Sequence, residues 1–189
     1  MEQKVKEIEI LKHQVDPHFI FNSFNTLSFL IGEDSVKAKT FSEKLANVYR
    51  YIIFNSNNNL VGLSEELNFS KDYSFLQEIR YSSEIQIIFS NFSEIENILI
   101  LPASIQILIE NAIKHNEFNE HLPLKIYITL ESDFITIENG KSIKKYSPPI
   151  SSKIGLFNLQ ERCDLIMNRK LKVMNTDTFF KVELPVHRH

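Results

Sequence analysis

Residues 19–31 combine helical spacing with apolar side chains on almost every face of the helix. Their apolar members are Phe19, Ile20, Phe21, Phe24, Leu27, Phe29, Leu30 and Ile31. A helix that is apolar all round has to be covered all round. After Gly32 a second helix is expected, with an apolar stripe of Ala38, Phe41, Leu45, Val48 and Ile52. Because one antiparallel hairpin cannot cover the first helix, we expect two copies of the chain to pair into a four-helix bundle.

The first predicted helix runs from residue 1 to about residue 31, and its early part is charged. Within that part, Val5, Ile8, Leu11 and Val15 have the spacing of a coiled-coil seam. This pattern begins abruptly, and we expect a further segment to precede it.

His18 directly follows Pro17 inside this helical stretch. Proline has no N–H to donate to the carbonyl of His13, and its ring crowds that turn, so the helix should kink or loosen where His18 emerges. Two interpretations follow: a surface histidine at a junction of two helices, or an exposed imidazole with a chemical role.

The composition is that of a soluble globular protein with a real core. The chain has 189 residues, of which 43% are hydrophobic and 24% charged, enough for one large or two small domains. A net charge of -3 gives no general attraction to nucleic acid or anionic membranes. The single cysteine, Cys163, excludes an internal disulfide. With no run of ~20 apolar residues and no signal peptide pattern, the chain is expected to be cytoplasmic.

The polar segment 55–59 is the expected boundary between a helical hairpin, residues 1–57, and a second domain, residues 58–189. In the second domain, Ser64 is the predicted N-cap of a helix reaching about Arg80, and Pro102 the predicted first residue of another. The predicted strands are 85–89, 95–100, 125–130, 134–138, 171–174 and 179–184, with a loop at 140–153 and a last helix at 155–167. This order predicts a mixed sheet with helices on one face.

The helix after Pro102 carries four polar residues opposite an apolar stripe. They are Glu110, Asn111, Lys114 and His115. One interpretation is a solvated face with a Glu110–Lys114 pair worth only ~0.2–0.5 kcal/mol. In the other, Asn111 offers an oxygen ligand to Mg²⁺, while Lys114 and His115 reach phosphate groups.

Two later segments fit a nucleotide site. Glu138, Asn139 and Gly140 end a predicted strand, where a carboxylate can accept a hydrogen bond from the exocyclic amine of a base. Ile154, Gly155 and Leu156 open the last helix, where glycine lets backbone N–H groups approach phosphate.

With these clusters together, the chain resembles the LytS-type sensor histidine kinases. The matching segments, in chain order, are QVDPHFIFNSFN at 14–25 for the phosphoacceptor motif, RY at 50–51, LSEEL at 63–67, LP followed by ENAIKH at 101–115 for the N box, and IGLFNL at 154–159 with Arg162 for the second glycine box. Three positions differ from the family pattern. In the segment that corresponds to the family's Asp-Asn-Gly-x-Gly box, residues 138–142, Glu138 replaces the aspartate and the second glycine is missing. Lys153 stands where a glycine is common, and Asp16 where asparagine is frequent.

The resemblance implies a fold and a set of roles. The fold is α/β (α+β), a dimerising two-helix hairpin followed by an α/β sandwich of the GHKL (Bergerat) type. ATP, with Mg²⁺ held by Asn111, phosphorylates the imidazole of His18, since a neutral imidazole is nucleophilic. Asp16 or Glu110 orients that ring. Asn22, one turn after His18, holds a water for removing phosphate from a partner protein.

The resemblance also implies partners and leaves alternatives. The phosphoryl group passes to an aspartate of a response regulator, often of the LytTR kind, and sensing comes through an upstream segment that anchors the full protein in the inner membrane. Two rival functions remain. One is a dimeric adaptor with a decayed nucleotide site, and the other is an ATPase of the same superfamily in which Glu110 activates water.

Overall fold

A computed structural model describes residues 17–142 and 152–188 of the protein. Its helices are α1 (Pro17–Glu33), α2 (Ser35–Asn55), α3 (Leu63–Tyr81), α4 (Ser104–His115) and α5 (Ser152–Arg162, continued by a π-helical turn, Cys163–Met167). Its strands are β1 (Val61–Gly62), β2 (Ile85–Ser90), β3 (Ile98–Ile100), β4 (Leu124–Leu130), β5 (Phe134–Gly140), β6 (Lys172–Asn175), β7 (Phe179–Pro185) and β8 (His187–Arg188). The predicted coiled-coil seam and Asp16 lie outside the described residues.

Helices α1 and α2 form the predicted hairpin, with Asp34 between them. The Asp34 carboxylate accepts a hydrogen bond of 3.0 Å from the backbone N–H of Lys37 and so caps α2. That hydrogen bond lowers the pKa of Asp34. Four members of the predicted stripe of α2 are buried: Ala38, Phe41, Leu45 and Val48. Tyr51 is buried next, whereas Ile52 is only partly covered.

One chain covers α1 on one side only. Phe19, Ser23 and Leu30 are buried, whereas four large apolar side chains stay 59–69% exposed, namely Phe21, Phe24, Phe29 and Ile31. Large exposed apolar surfaces are typical of interaction sites.

The main sheet is mixed, as predicted. Its strand order is β2-β4-β5-β7-β6, with β2 and β4 parallel and the other neighbours antiparallel. Along β4, buried and more exposed residues alternate, and α4 packs on β4 and β5. The helix layer and one face of the sheet therefore enclose the core of the second half of the chain. Among the described residues, no helix has the length and apolar character needed to cross a membrane.

A small second sheet, in the order β1-β3-β8, was not predicted. Leu99 pairs with both Gly62 and His187, so His187–Arg188 form a strand near the chain end. Strands β1 and β8 have two residues each, too few to show an alternating pattern.

Three predicted helix starts were wrong. Gly62, rather than Ser64, precedes α3, because Leu63 is fully buried and already helical. Helix α4 begins at Ser104, after Ala103 in the left-handed region at φ 58°, and not at Pro102. Helix α5 begins at Ser152 and not at Gly155.

Candidate functional site

His18 and the polar side of α4 line one cleft of about 510 Å³. Glu110 and Lys114 contribute from α4, although they stand far from His18 in the sequence. The other lining residues are Phe19, Tyr73, Gln77, Arg80, Tyr81, Ile113 and Phe118. The structure thus joins two clusters that the sequence predicted separately, and the two meet within a single chain.

The His18 ring is exposed and is contacted by Asn22, one turn along α1. The Asn22 amide nitrogen lies 2.9 Å from Nδ1 and 3.1 Å from Nε2. The amide nitrogen therefore lies close to both ring nitrogens, and its role toward each depends on the tautomer of the ring.

Glu110 is held by two donors that sequence reasoning did not single out. The Tyr73 hydroxyl donates to Glu110 Oε1 over 2.9 Å, and the Gln106 side-chain amide donates to the same oxygen over 2.6 Å. Gln106 precedes Glu110 by one turn of α4, a spacing that predicts such a contact. Tyr73 comes from α3, and no local sequence signal links it to Glu110.

Asn111 and His115 occupy a different side of α4 from Glu110 and Lys114. They follow Ile107 by four and eight residues, and so continue its row. Ile107 faces the start of α5, since its Cγ2 lies 3.7 Å from the position that a Cβ on Gly155 would take. Asn111 and His115 thus continue the row of α4 whose member Ile107 faces the α5 start.

The residues present fit Mg²⁺ and a nucleotide phosphate chain. Magnesium keeps several waters and phosphate oxygens and takes only one or two protein oxygens. The amide oxygen of Asn111 suits this need, with the cation of Lys114 one turn further along α4. Gly155 is the fourth residue of α5, so it still belongs to the first turn, where backbone N–H groups lack helical partners. Leu156 is partly buried against the core.

Glu138 and Asn139 lie on opposite faces of the sheet. Glu138 pairs across the strands with Tyr127, which is 45% exposed, whereas Asn139 pairs with the fully buried Ile126. Asn139 is itself 2% exposed and donates to the carbonyl of Gly140 over 2.7 Å. The face that carries α4 therefore bears Asn139, and the structure does not bring Glu138 together with Asn111.

The end of α4 is tied to the segment that follows β5 through Asn116, another residue that sequence reasoning missed. Its amide donates to the carbonyl of Ala112 over 2.8 Å and accepts from the backbone N–H of Ser142 over 2.9 Å. Asn116 is 4% exposed. These bonds fix where the chain leaves Gly140 relative to α4.

The start of α4 is held by a buried carboxylate, that of Glu66. Glu66 is fully buried and accepts from the backbone N–H groups of Ala103 (2.9 Å) and Ile105 (3.0 Å). A carboxylate at a helix N-terminus satisfies orphan donors and complements the helix dipole. Tyr51, from α2, donates its hydroxyl to the same carboxylate. Burial raises the pKa of Glu66, which these hydrogen bonds partly offset.

Arg162 completes this junction from α5. Its guanidinium donates to the carbonyl of Pro102 over 3.2 Å, directly before α4. Burial lowers the pKa of Arg162, and the nearby charge of Glu66 acts in the opposite direction. Four helices, α2 to α5, thus meet around the residues that set the position of α4.

Comparisons with known proteins agree with this architecture. A family model described as histidine kinase matches residues 6–85. The sensor protein LytS of Staphylococcus epidermidis is 34% identical over 147 residues, 74% of this chain and 24% of the relative. The sensor protein kinase HptS of Staphylococcus aureus is 34% identical over 131 residues, 68% of this chain and 25% of the relative. The chain therefore spans about a quarter of the length of these curated relatives.

A solved structure titled as a bacterial phosphotransferase shares the fold, with a TM-score of 0.53 at 11% identity. The match covers 95% of this chain and 96% of that one. The predicted architecture, a helical hairpin followed by an α/β domain with a mixed sheet, is confirmed.

Proposed function

This chain belongs to the LytS-type sensor histidine kinases, and we propose that it is the kinase core of such a sensor, in which ATP phosphorylates His18. The observation that carries the proposal is the cleft shared by His18, Glu110 and Lys114. A nucleophile next to an anionic and a cationic group of the nucleotide-site helix is the arrangement that phosphoryl transfer to histidine requires.

In the proposed reaction, a ring nitrogen of His18 forms a bond to the γ-phosphorus while the bond from phosphorus to the ADP oxygen breaks. Such transfers depend mainly on positioning and charge neutralisation. The Lys114 cation offsets the charge on the phosphate oxygens. Glu110 accepts the imidazole proton that phosphorylation displaces, or holds the ring through it.

Asn22 controls which ring nitrogen is available. An Asn22 amide N–H that donates to the unprotonated ring nitrogen would occupy the lone pair that must attack, which gives a resting arrangement. With the amide turned, its oxygen accepts from the ring N–H and leaves the other nitrogen for the phosphorus. The same side chain is our candidate for holding the water that removes phosphate from a partner. Asp16, the other candidate for orienting His18, lies outside the described residues.

For the nucleotide, we propose ATP with Mg²⁺ held by Asn111. The ion-bound nucleotide supplies the phosphoryl group. Lys114 and His115 bind phosphate oxygens, and the α5 start, Ile154 to Leu156, offers its N–H groups. Glu138, Asn139 and Gly140 border the base, with Asn139 on the side of α4.

We propose residues 1–57 as the dimerisation and phosphotransfer hairpin and residues 58–189 as the ATP-binding domain. The exposed apolar surface of α1 supports pairing with a second copy of the chain. The phosphoryl acceptor is the receiver aspartate of a response regulator, of the LytTR kind, and an upstream segment anchors the full protein in the inner membrane. The part of the protein formed by residues 1–189 then lies on the cytoplasmic side of that membrane.

A second candidate function is a dimeric adaptor with a decayed nucleotide site. Two observations favour it. Glu138 lies on the sheet face opposite to α4, and the residue on the face of α4, Asn139, carries an amide in place of a carboxylate. An amide offers the base amine a weaker acceptor than a carboxylate does.

Incubation of the protein with ATP labelled at the γ-phosphate separates these functions. Acid-labile label on the protein supports the kinase. Release of free phosphate without label on the protein supports an ATPase in which Glu110 activates water. A protein that binds no nucleotide in a calorimetric titration is the adaptor.

A further inference from the structure

We propose that Tyr73 orients the carboxylate of Glu110 so that Glu110 can accept the proton of the His18 ring or hold the ring through that proton. Tyr73 is then a positioning residue of the phosphorylation reaction. This inference rests on the proposed function, because it concerns the same cleft. Tyr73 contacts both helices that contribute to this cleft. Its ring packs against Phe19 of α1, the neighbour of His18, and its hydroxyl contacts Glu110 of α4.

The hydrogen bonds around Tyr73 have one consistent direction. Gln77 donates its amide to the Tyr73 oxygen over 2.6 Å, and Tyr73 donates to Glu110 Oε1 over 2.9 Å. A phenol has one proton, and because it points to Glu110, Gln77 must be the donor in the other bond. Gln106 adds a second donor to the same carboxylate oxygen. Two donors from two helices fix the orientation of the Glu110 carboxylate.

Tyr73 remains a donor throughout the neutral pH range. It is 2% exposed, and burial, followed by the charge of Glu110, raises its pKa well above the ordinary value. A hydrogen bond to a carboxylate stabilises the ionised form. The bond from Tyr73 therefore keeps Glu110 in the form that is able to accept a proton.

The ring of Tyr73 links this bond to the position of α1. Its centroid lies 5.3 Å from that of Phe19 in α1 and 6.5 Å from that of Phe69 in α3, so the ring contacts aromatic side chains of both helices. Phe19 is 9% exposed and follows His18 directly. A shift of α1 that moves His18 therefore presses on the side chain that orients Glu110.

Other charged or titratable groups face Glu110 from each element around it. In the cleft these are His18 of α1, Arg80 and Tyr81 of α3, and Lys114 of α4. A smaller cavity of about 120 Å³ on the other side of Glu110 is lined by Tyr51 of α2 and Arg162 of α5. A Tyr73→Phe variant removes one oxygen and keeps the ring, so these charged and titratable groups are all still present.

The kinetic test compares wild type with Tyr73→Phe. We expect the maximal rate of His18 phosphorylation to fall about 10-fold or more while KM for ATP stays within about twofold, because proton handling and not nucleotide binding is affected. The acidic limb of the pH–rate profile should move to higher pH. Tyr127→Phe, at a 45% exposed tyrosine of β4, is the matched control and should change neither the maximal rate nor the pH–rate profile.

A double-mutant cycle separates positioning from a structural effect. If Tyr73 acts through Glu110, Tyr73→Phe adds no further loss in a Glu110→Gln background. Equal losses in both backgrounds would overturn the proposal. If Tyr73→Phe does not fold, Gln106→Met removes the other donor to the same oxygen and takes its place in the cycle.

A second readout is independent of kinase activity. The titration of Glu110, followed by carbon-13 NMR of protein with labelled glutamate, should move to higher pH in Tyr73→Phe and stay in place in Tyr127→Phe. An unchanged titration contradicts the inference. An active wild type whose rate is unchanged by Tyr73→Phe overturns this inference alone, whereas a wild type that forms no phosphohistidine overturns the proposed function.

Discussion

The hydroxyl of Tyr51, near the end of α2, donates a hydrogen bond to the fully buried carboxylate of Glu66 in α3. That carboxylate also holds the first turn of α4 through Ala103 and Ile105. The hairpin that bears His18 and the helix that bears Glu110 are therefore connected through one side chain. Glu66 thus joins α2, α3 and the start of α4.

Tyr51→Phe should lower the free energy of unfolding by about 1–3 kcal/mol, because a buried carboxylate then loses one of its donors. The ring stays stacked on Phe69, at 4.0 Å between centroids, so packing is retained. Urea denaturation measures the change. The exposed Tyr127→Phe should stay within about 0.5 kcal/mol of wild type. Equal stabilities of the two variants would show that the Tyr51 bond contributes nothing.

The pH dependence of stability should reveal Glu66. Burial raises its pKa in the folded protein above the ordinary 4.5, so the folded state binds the proton more tightly than the unfolded state. Its contribution is therefore full below about pH 4.5 and is lost as pH rises through the raised pKa. The stability difference between wild type and Glu66→Gln should shrink over that range. A difference that grows with pH contradicts this assignment.

The exposed apolar side of α1 should hold two chains together. In sedimentation at micromolar concentration, we expect wild type to be a dimer and the double variant Phe21→Ser/Phe24→Ser to be a monomer. Both side chains are more than half exposed in one chain. Leu165→Ser, at an 82% exposed residue after α5, is the control and should remain dimeric. A monomeric wild type would contradict the proposed bundle.

Cys163 should resist alkylation in the folded protein. It is fully buried, and burial raises the pKa of its thiol to about 11, so little of the reactive thiolate forms at about pH 8. Iodoacetamide labelling followed by mass spectrometry should be slow in buffer and fast in urea. Equally fast labelling in buffer would show that the turn after α5 does not pack on the core as described.

Apolar spacing was the most readable signal in the sequence. The stripe of α2 and the run of α1 predicted the hairpin, and the polar cluster of α4 was placed on the correct helix. Helix starts were less readable, because the groups that cap them come from elsewhere in the fold. Ala103 and α4 depend on Glu66, which lies far away in the sequence.

Neighbouring residues with similar sequence signals took different roles. Glu65 and Glu66 both stand in the first turn of α3, yet only Glu66 is buried, because it faces the start of α4. Strand register likewise decided that Asn139, and not Glu138, shares the sheet face with α4. Tyr73 gave no signal beyond a helical apolar position, since its partner Glu110 is brought close only by tertiary packing.

The most direct test of the kinase proposal is the formation of phosphohistidine in wild type, His18→Gln and Asn22→Ala after incubation with ATP labelled at the γ-phosphate. His18 is exposed, so the free energy of unfolding of His18→Gln should lie within about 0.5 kcal/mol of the wild-type value. We expect acid-labile label on wild type and on Asn22→Ala, with none on His18→Gln. Label that persists in His18→Gln, or a wild type that binds ATP and takes up no label, would contradict it.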